Sequence, residues 1–133
     1  VRGHIHGKDG IYAAALLVEM MAVSKKKLSE IAEDIRNTYG RTHMEERDYR
    51  FTPEEKETIR QVLLERRELP KLPFPVQKIS YLDGCKVYFE NGGWVSARFS
   101  GTEPLLRIFC EMEQASDAVR VCTVFEDFLG LPS

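Results

Sequence analysis

Residues 76 to 113 form four short runs of alternating apolar residues, broken at Asp83-Gly84, at Asn91-Gly92-Gly93 and at Ser100-Gly101-Thr102-Glu103-Pro104. This punctuation constrains the fold more than any other feature of the chain. Asp-Gly and Asn-Gly pairs supply the positive-φ positions that tight hairpin turns require, so runs this close in sequence pair as antiparallel neighbours. The spacing predicts strands at about 76 to 82, 85 to 90, 94 to 99 and 106 to 113. In the last run Leu106, Ile108, Cys110 and Met112 alternate onto one side, which marks a sheet with one face turned to a core.

Helices bracket these strands. Thr52-Pro53-Glu54-Glu55 has the makeup of a capping box with proline at the first helical position, predicting a helix from 53 to about 67 with Ile59, Val62 and Leu63 as its apolar stripe. Pro70, Pro73 and Pro75 then enforce an extended connection. A last helix is expected from about Asp117 to Leu129, with Ser116 as its cap and Gly130 as its stop. The fold class is therefore α+β: a four-stranded antiparallel sheet with flanking helices on one face. A length of 133 residues with 43% hydrophobic content suffices for one such core.

Upstream the pattern changes. Asp9 caps one predicted helix and Ser24 a second, in which Leu28, Ile31, Ala32, Ile35 and Tyr39 recur at helical spacing before Gly40. Residues 11 to 23 carry one charge, so that helix expects burial on nearly every side and neighbours from elsewhere in the protein. The segment is too short for a membrane span, which needs about 20 residues, and it lacks the pattern of a signal peptide. Residues 41 to 51 are polar and mixed, with Glu45 to Phe51 as a short edge strand; the domain boundary is expected near His43 and a hinge within this linker.

Charge and cysteine usage exclude several classes. A net charge of −2 with acids and bases interspersed argues against nucleic acid or an anionic membrane as partner. Cys85, Cys110 and Cys122 have neither metal-ligand spacing nor even pairing, so they read as small core residues of a reduced, cytoplasmic protein. His4 and His6 form an H-x-H pair without a nearby third ligand, and His43 has no evident partner, so no metal site is expected.

The loop between the third and fourth runs carries chemistry. Arg98 ends one strand and Arg107 begins the next, so pairing brings both guanidiniums to the same end of the sheet. Two such forks give paired donors to phosphate oxygens, while the hydroxyls of Ser100 and Thr102 and the loop N–H groups reach the oxygens left over. Gly101 is expected to take a backbone conformation barred to other residues and to let the main chain approach an anion. The plain alternative is an ordinary hairpin turn with solvated arginines at its ends.

The run R-F-S-G-T-E-P-L-L-R-I-F-C-E, residues 98 to 111, resembles the phosphate-binding loop in the last domain of the α-D-phosphohexomutases, the phosphoglucomutase and phosphomannomutase enzymes. His4-Ile5-His6-Gly7-Lys8-Asp9-Gly10 resembles the H-x-x-x-K-D-G segment of their third domain, in the family's order. The resemblance implies that residues 1 to 43 are the tail of domain three, an α/β domain, and that residues 44 to 133 are the fourth, phosphate-binding domain. It implies that Arg98, Ser100, Gly101, Thr102 and Arg107 grip the phosphate that is not reacting. Lys8 would lie in the cleft, contacting the sugar phosphate or assisting proton transfer; without the resemblance it reads as a solvated residue ahead of a helix cap.

The family's phosphoserine loop and D-x-D-x-D magnesium loop have no counterpart here, and its E-x-S-G sugar-reading loop would precede Val1. The chain is therefore expected to be an inactive fragment of an intramolecular phosphotransferase that interconverts hexose 1-phosphate and hexose 6-phosphate. The complete enzyme would need Mg2+ and hexose 1,6-bisphosphate, neither bound by this fragment. The expected partners are the sugar phosphate and the enzyme's remaining domains. The K-D-G segment leans towards phosphoglucomutase-like rather than phosphoglucosamine mutase members, and glucose against mannose stays open. The competing reading is a non-catalytic module that binds a phosphorylated ligand or a protein partner.

Overall fold

A computed structural model describes Gly3, Ile5 and residues 7 to 131; His4 and His6 lie outside the described residues. The chain divides into two compact units, one ending at Arg41 and the other beginning at Thr42.

The first unit holds helices α1 (Gly10–Ser24) and α2 (Leu28–Tyr39). Asp9 caps α1 as expected, its carboxylate accepting from the Tyr12 N–H at 2.9 Å. Ser24 does not cap α2: it is the last residue of α1, and its hydroxyl donates back to the Met21 carbonyl. Three lysines follow, Lys25 takes a left-handed backbone, and α2 starts only after Lys27, whose N–H donates to the Glu30 carboxylate at 2.6 Å. No residue of either helix is buried; Ile11 and Val23 of α1 are 87% and 78% exposed.

The second unit begins with strand β1 (His43–Arg50) and helix α3 (Pro53–Arg60). A meander of β2 (Val76–Ser80), β3 (Cys85–Phe89), β4 (Trp94–Phe99) and β5 (Leu105–Met112) follows, and helix α4 (Ala115–Leu129) closes it. The sheet has five strands, in the order β1-β5-β4-β3-β2, where four were expected. The extra strand is the segment assigned to linker and hinge: residues 43 to 50 pair antiparallel with β5 in unbroken register from His43↔Met112 to Arg50↔Leu105. Its charged sequence masked it, because polar residues are tolerated on an edge strand that contributes Tyr49 alone to the core. A segment bonded along its length is no joint, which leaves residues 40 to 42 between α2 and β1.

Alternation sorts the sheet residues. Val87, Phe89, Val95, Ala97, Leu106, Ile108, Cys110 and Met112 face a single core with Ile59 and Leu63 from the α3 side and Ala118, Val121, Cys122 and Phe125 from α4. All three cysteines are buried and unpaired. Lys86, Tyr88, Trp94, Ser96, Arg98, Arg107 and Phe109 fall on the opposite face by register. Gly93 is where a hairpin needs glycine for space: a Cβ there would come within 2.3 Å of the Met112 sulfur and 3.0 Å of the Glu111 carbonyl.

Local hydrogen bonding explains two further departures. The capping box at Thr52 forms as expected, with Glu55 N–H donating to the Thr52 hydroxyl at 3.3 Å and Thr52 N–H to the Glu55 carboxylate at 2.7 Å. Beyond Arg60, however, the helix widens into a π-turn over Gln61–Glu65, with Arg66 N–H bonded to the Gln61 carbonyl, and Leu63 is buried there. At the other end, α4 starts at Ala115 after Gln114 rather than at a Ser116 cap, while Gly130 terminates it with φ 63° as its composition requires.

The sequence pattern does not show that α4 is tied to β1 by charge. Glu126, 5% exposed, accepts hydrogen bonds from the Tyr49 hydroxyl and the Arg47 guanidinium, and Arg47 also reaches the Thr123 hydroxyl at 3.4 Å. Burial pushes the Glu126 carboxyl up, but the Tyr49 and Arg47 hydrogen bonds outweigh it and hold the group below its ordinary value. This network seats the edge strand against the last helix.

Candidate functional site

Arg98 and Arg107 are direct cross-strand partners in the β4–β5 register. Their side chains therefore leave the same face of the sheet, at the end where the 100–104 loop connects the strands. Ser100 N–H donates to the Leu105 carbonyl at 2.8 Å, closing the loop's base, and Phe51 N–H reaches the Pro104 carbonyl at 3.4 Å, tying it to the exit of β1.

Each arginine is held by carboxylates. Arg98 Nη1 lies 2.8 Å from Asp83 Oδ2. Arg107 Nη2 lies 3.2 Å from Glu103 Oε2, and its Nε is buried without a hydrogen bond, 3.6 Å from Asp48 Oδ1. These pairs fix where the guanidinium planes point and leave other N–H edges available to a ligand. Asp83 was legible only as a turn residue; its role follows from the hairpin register, since Cys85↔Ala97 pairing brings the turn alongside Arg98. Gly84 makes that approach sterically feasible: its φ is 75°, and a Cβ there would lie 2.5 Å from the Ala97 carbonyl oxygen and 2.7 Å from Arg98 Cβ.

Gly101 behaves differently from expectation. Its φ is not in the left-handed region, and a Cβ there would meet nothing within 4 Å. Among the described residues nothing requires glycine at this point. Its distinguishing property is bare backbone facing solvent.

A cavity of about 440 Å³ opens on the loop, lined by Ser100, Gly101, Thr102, Glu103 and Pro104 together with Phe51 and Pro53. Lys56, on the first turns of α3, also lines it. No sequence signal marks Lys56, because its place beside the loop arises from helix packing between elements distant along the chain. Ser100, Gly101 and Thr102 share this cavity, whereas Arg98 lines a separate one with Asp83, Lys86 and Trp94, and Arg107 is joined to Arg98 by the strand register. Lys8 lies in the first unit, exposed, immediately ahead of the Asp9 cap.

Among the described residues no group of three His, Cys, Asp or Glu could hold a metal ion. No described helix is long and apolar enough to cross a membrane. The site offers charge, hydroxyls and backbone donors but no evident nucleophile or general base directed at a ligand. Its arrangement can hold an oxyanion.

Residues 50–127 match the family model for the phosphoglucomutase/phosphomannomutase C-terminal domain, and residues 1–39 match that for alpha/beta/alpha domain III of the same enzymes. A phosphoglucomutase/phosphomannomutase of Thermococcus kodakarensis is 33% identical over 112 residues, covering 84% of this chain and 22% of the relative. A probable phosphoglucosamine mutase of Methanosarcina acetivorans is 35% identical over 111 residues, covering 84% of this chain and 23% of the relative. Another, from Methanothermobacter thermautotrophicus, is 32% identical over 105 residues, covering 77% and 21%. The chain thus spans less than a quarter of the length of these relatives.

Proposed function

The chain belongs to the phosphoglucomutase/phosphomannomutase family, and from that premise we propose that its second unit is the substrate-phosphate clamp of a phosphohexomutase. The observation that carries this is the cross-strand Arg98–Arg107 pair at the mouth of the Ser100-Gly101-Thr102 loop. Two guanidiniums supply the directional donors and the loop supplies hydroxyls and backbone N–H groups. The domain division at 43/44 and the assignment of residues 1–43 to a third domain belong to the same proposal.

A mutase of this kind passes a phosphoryl group to one end of a hexose phosphate and recovers one from the other end of the bisphosphate. The clamp must hold whichever phosphate is not reacting. An arrangement that reads mainly phosphate suits this task, because neither arginine discriminates between the two ends of the sugar. Lys8 would act on the sugar phosphate from the neighbouring domain. Among the described residues no group would hold magnesium; the Mg2+ and the phosphoserine that the resemblance implies would be supplied by other domains. The reading includes a cytoplasmic setting, which sugar phosphate chemistry and the three unpaired thiols support.

The test is an isomerisation assay on the polypeptide translated from the full reading frame, with the 1-phosphates of glucose, mannose and glucosamine offered separately. Turnover of at least one to its 6-phosphate is expected, and the preferred sugar settles a choice that relatives bearing both enzyme names leave open. No turnover of any of the three contradicts the proposal.

A further inference from the structure

We propose that Lys56 is a third cation of the phosphate clamp, reaching the bound phosphate from the helix α3 side of the loop. The inference rests on the clamp reading above and adds a residue that the loop motif does not contain.

Three observations converge on this side chain. Lys56 lines the cavity whose other wall is Ser100, Gly101, Thr102 and Glu103. Its ammonium is held over aromatic rings, 5.5 Å from the Phe99 centroid and 5.8 Å from that of Phe51, and those rings pack edge-on at 5.3 Å. Such a cradle restrains a lysine without neutralising it. Among the described residues no carboxylate lies within ion-pairing distance of Lys56, whereas Arg98 is paired with Asp83 and Arg107 with Asp48 and Glu103.

The charge balance gives this consequence. Three carboxylates stand against two guanidiniums around the loop, so the arginines and their partners alone carry a formal net negative charge at neutral pH. A phosphate monoester, largely dianionic at that pH, would meet a site of its own sign. Lys56 adds positive charge on the loop's own cavity, as Lys86 does beside Arg98 and Asp83, and a compact ammonium on a flexible stem contributes charge without competing for the geometry set by the two forks. Lys56 therefore adds to affinity for the dianion through charge alone, while Arg98 and Arg107 supply its orientation and the larger share of its binding.

The test is an amide NMR titration of the 133-residue chain with inorganic phosphate, following Ser100, Gly101 and Thr102. The chain itself is compared with its Lys56→Met, Lys56→Arg and Arg98→Ala variants. Lys56 is exposed, so replacement leaves the fold intact. Lys56→Met is expected to weaken binding about fivefold and flatten its dependence on salt, and Lys56→Arg to restore both to within about twofold, as a charge effect at partly solvated range requires. Wild-type affinity in Lys56→Met overturns the proposal; if Arg98→Ala still loses binding, the clamp reading survives that failure. Absence of any saturable shift in the unaltered chain overturns the proposal as well, and loss of binding in Lys56→Met but not in Arg98→Ala upholds Lys56 while removing Arg98 from the clamp.

Discussion

Replacing Arg98 with alanine is expected to weaken the chain's binding of glucose 1-phosphate by about 30-fold. Hydrogen bonds between charged partners contribute about 1.5–3 kcal/mol each, which spans roughly one to two decades in affinity. The loss is net of a small offset, because a bound phosphate competes with Asp83 for the same guanidinium. That pair is weak: the Arg98 and Asp83 side chains are 46% and 74% exposed, and surface ion pairs of this kind are worth about 0–1 kcal/mol. Arg98→Lys keeps the charge but not the fork and is expected to recover only part of the affinity. Both variants should fold as the parent does, since Arg98 lies outside the core, and circular dichroism provides that control. Affinity unchanged within twofold in Arg98→Ala would remove this residue from the site.

Glu126→Ala is expected to lower the stability of the second unit by about 3 kcal/mol, the range measured when one partner of a buried charge pair is removed. The substitution leaves the Arg47 guanidinium and the Tyr49 hydroxyl without their acceptor between β1 and α4. Arg47 retains partial relief from Glu45, 3.0 Å away, and from solvent, its side chain being 22% exposed, so the loss should sit at the low end of that range. The same carboxyl makes stability depend on pH with a definite sign. Its pKa in the folded state is held below the ordinary 4.5, so its contribution is complete above that value and is lost as pH falls through the lower folded one. Urea unfolding midpoints should therefore fall in acid for the parent, with a shallower fall for Glu126→Gln. Equal acid slopes in the two would show that the network contributes nothing.

The meander was legible because its turns announce themselves. Asp83-Gly84 and Asn91-Gly92-Gly93 mark hairpins by composition, and alternation over Leu106 to Met112 marks which side faces the core. Strand β1 was half legible: Glu45 to Phe51 suggests an edge, but nothing local says that His43 to Arg50 is paired over its whole length, since that pairing depends on a partner more than 50 residues away. Helix ends failed where the cap is not a side chain. Ser24 and Ser116 have the right chemistry, yet Lys27 and Gln114 occupy the positions, because Ser24 is taken up in the last turn of α1 and Ser116 falls inside the first turn of α4.

The site divides the same way. Arg98 and Arg107 follow from strand spacing, and their cross-strand pairing is the register that spacing implies. Gly101 shows the limit of that reasoning: glycine suggested a strained backbone, and the strain lies instead at Gly84, where the neighbouring turn presses against Arg98. Asp48, Asp83 and Lys56 were not legible as site residues. Asp48 and Asp83 reach Arg107 and Arg98, and Lys56 reaches the loop, through contacts between separate elements, and charged residues on solvent-facing positions have no periodic signature.

The account stands most directly on where a sugar phosphate touches this chain. Amide shifts mapped on titration with glucose 1-phosphate, against glucose at the same concentrations, make that measurement. Saturable shifts confined to Arg98 through Arg107 and the facing turn of α3, seen with the phosphate ester and absent with glucose, are predicted. Shifts that leave the 100–104 loop silent while moving residues elsewhere would contradict it.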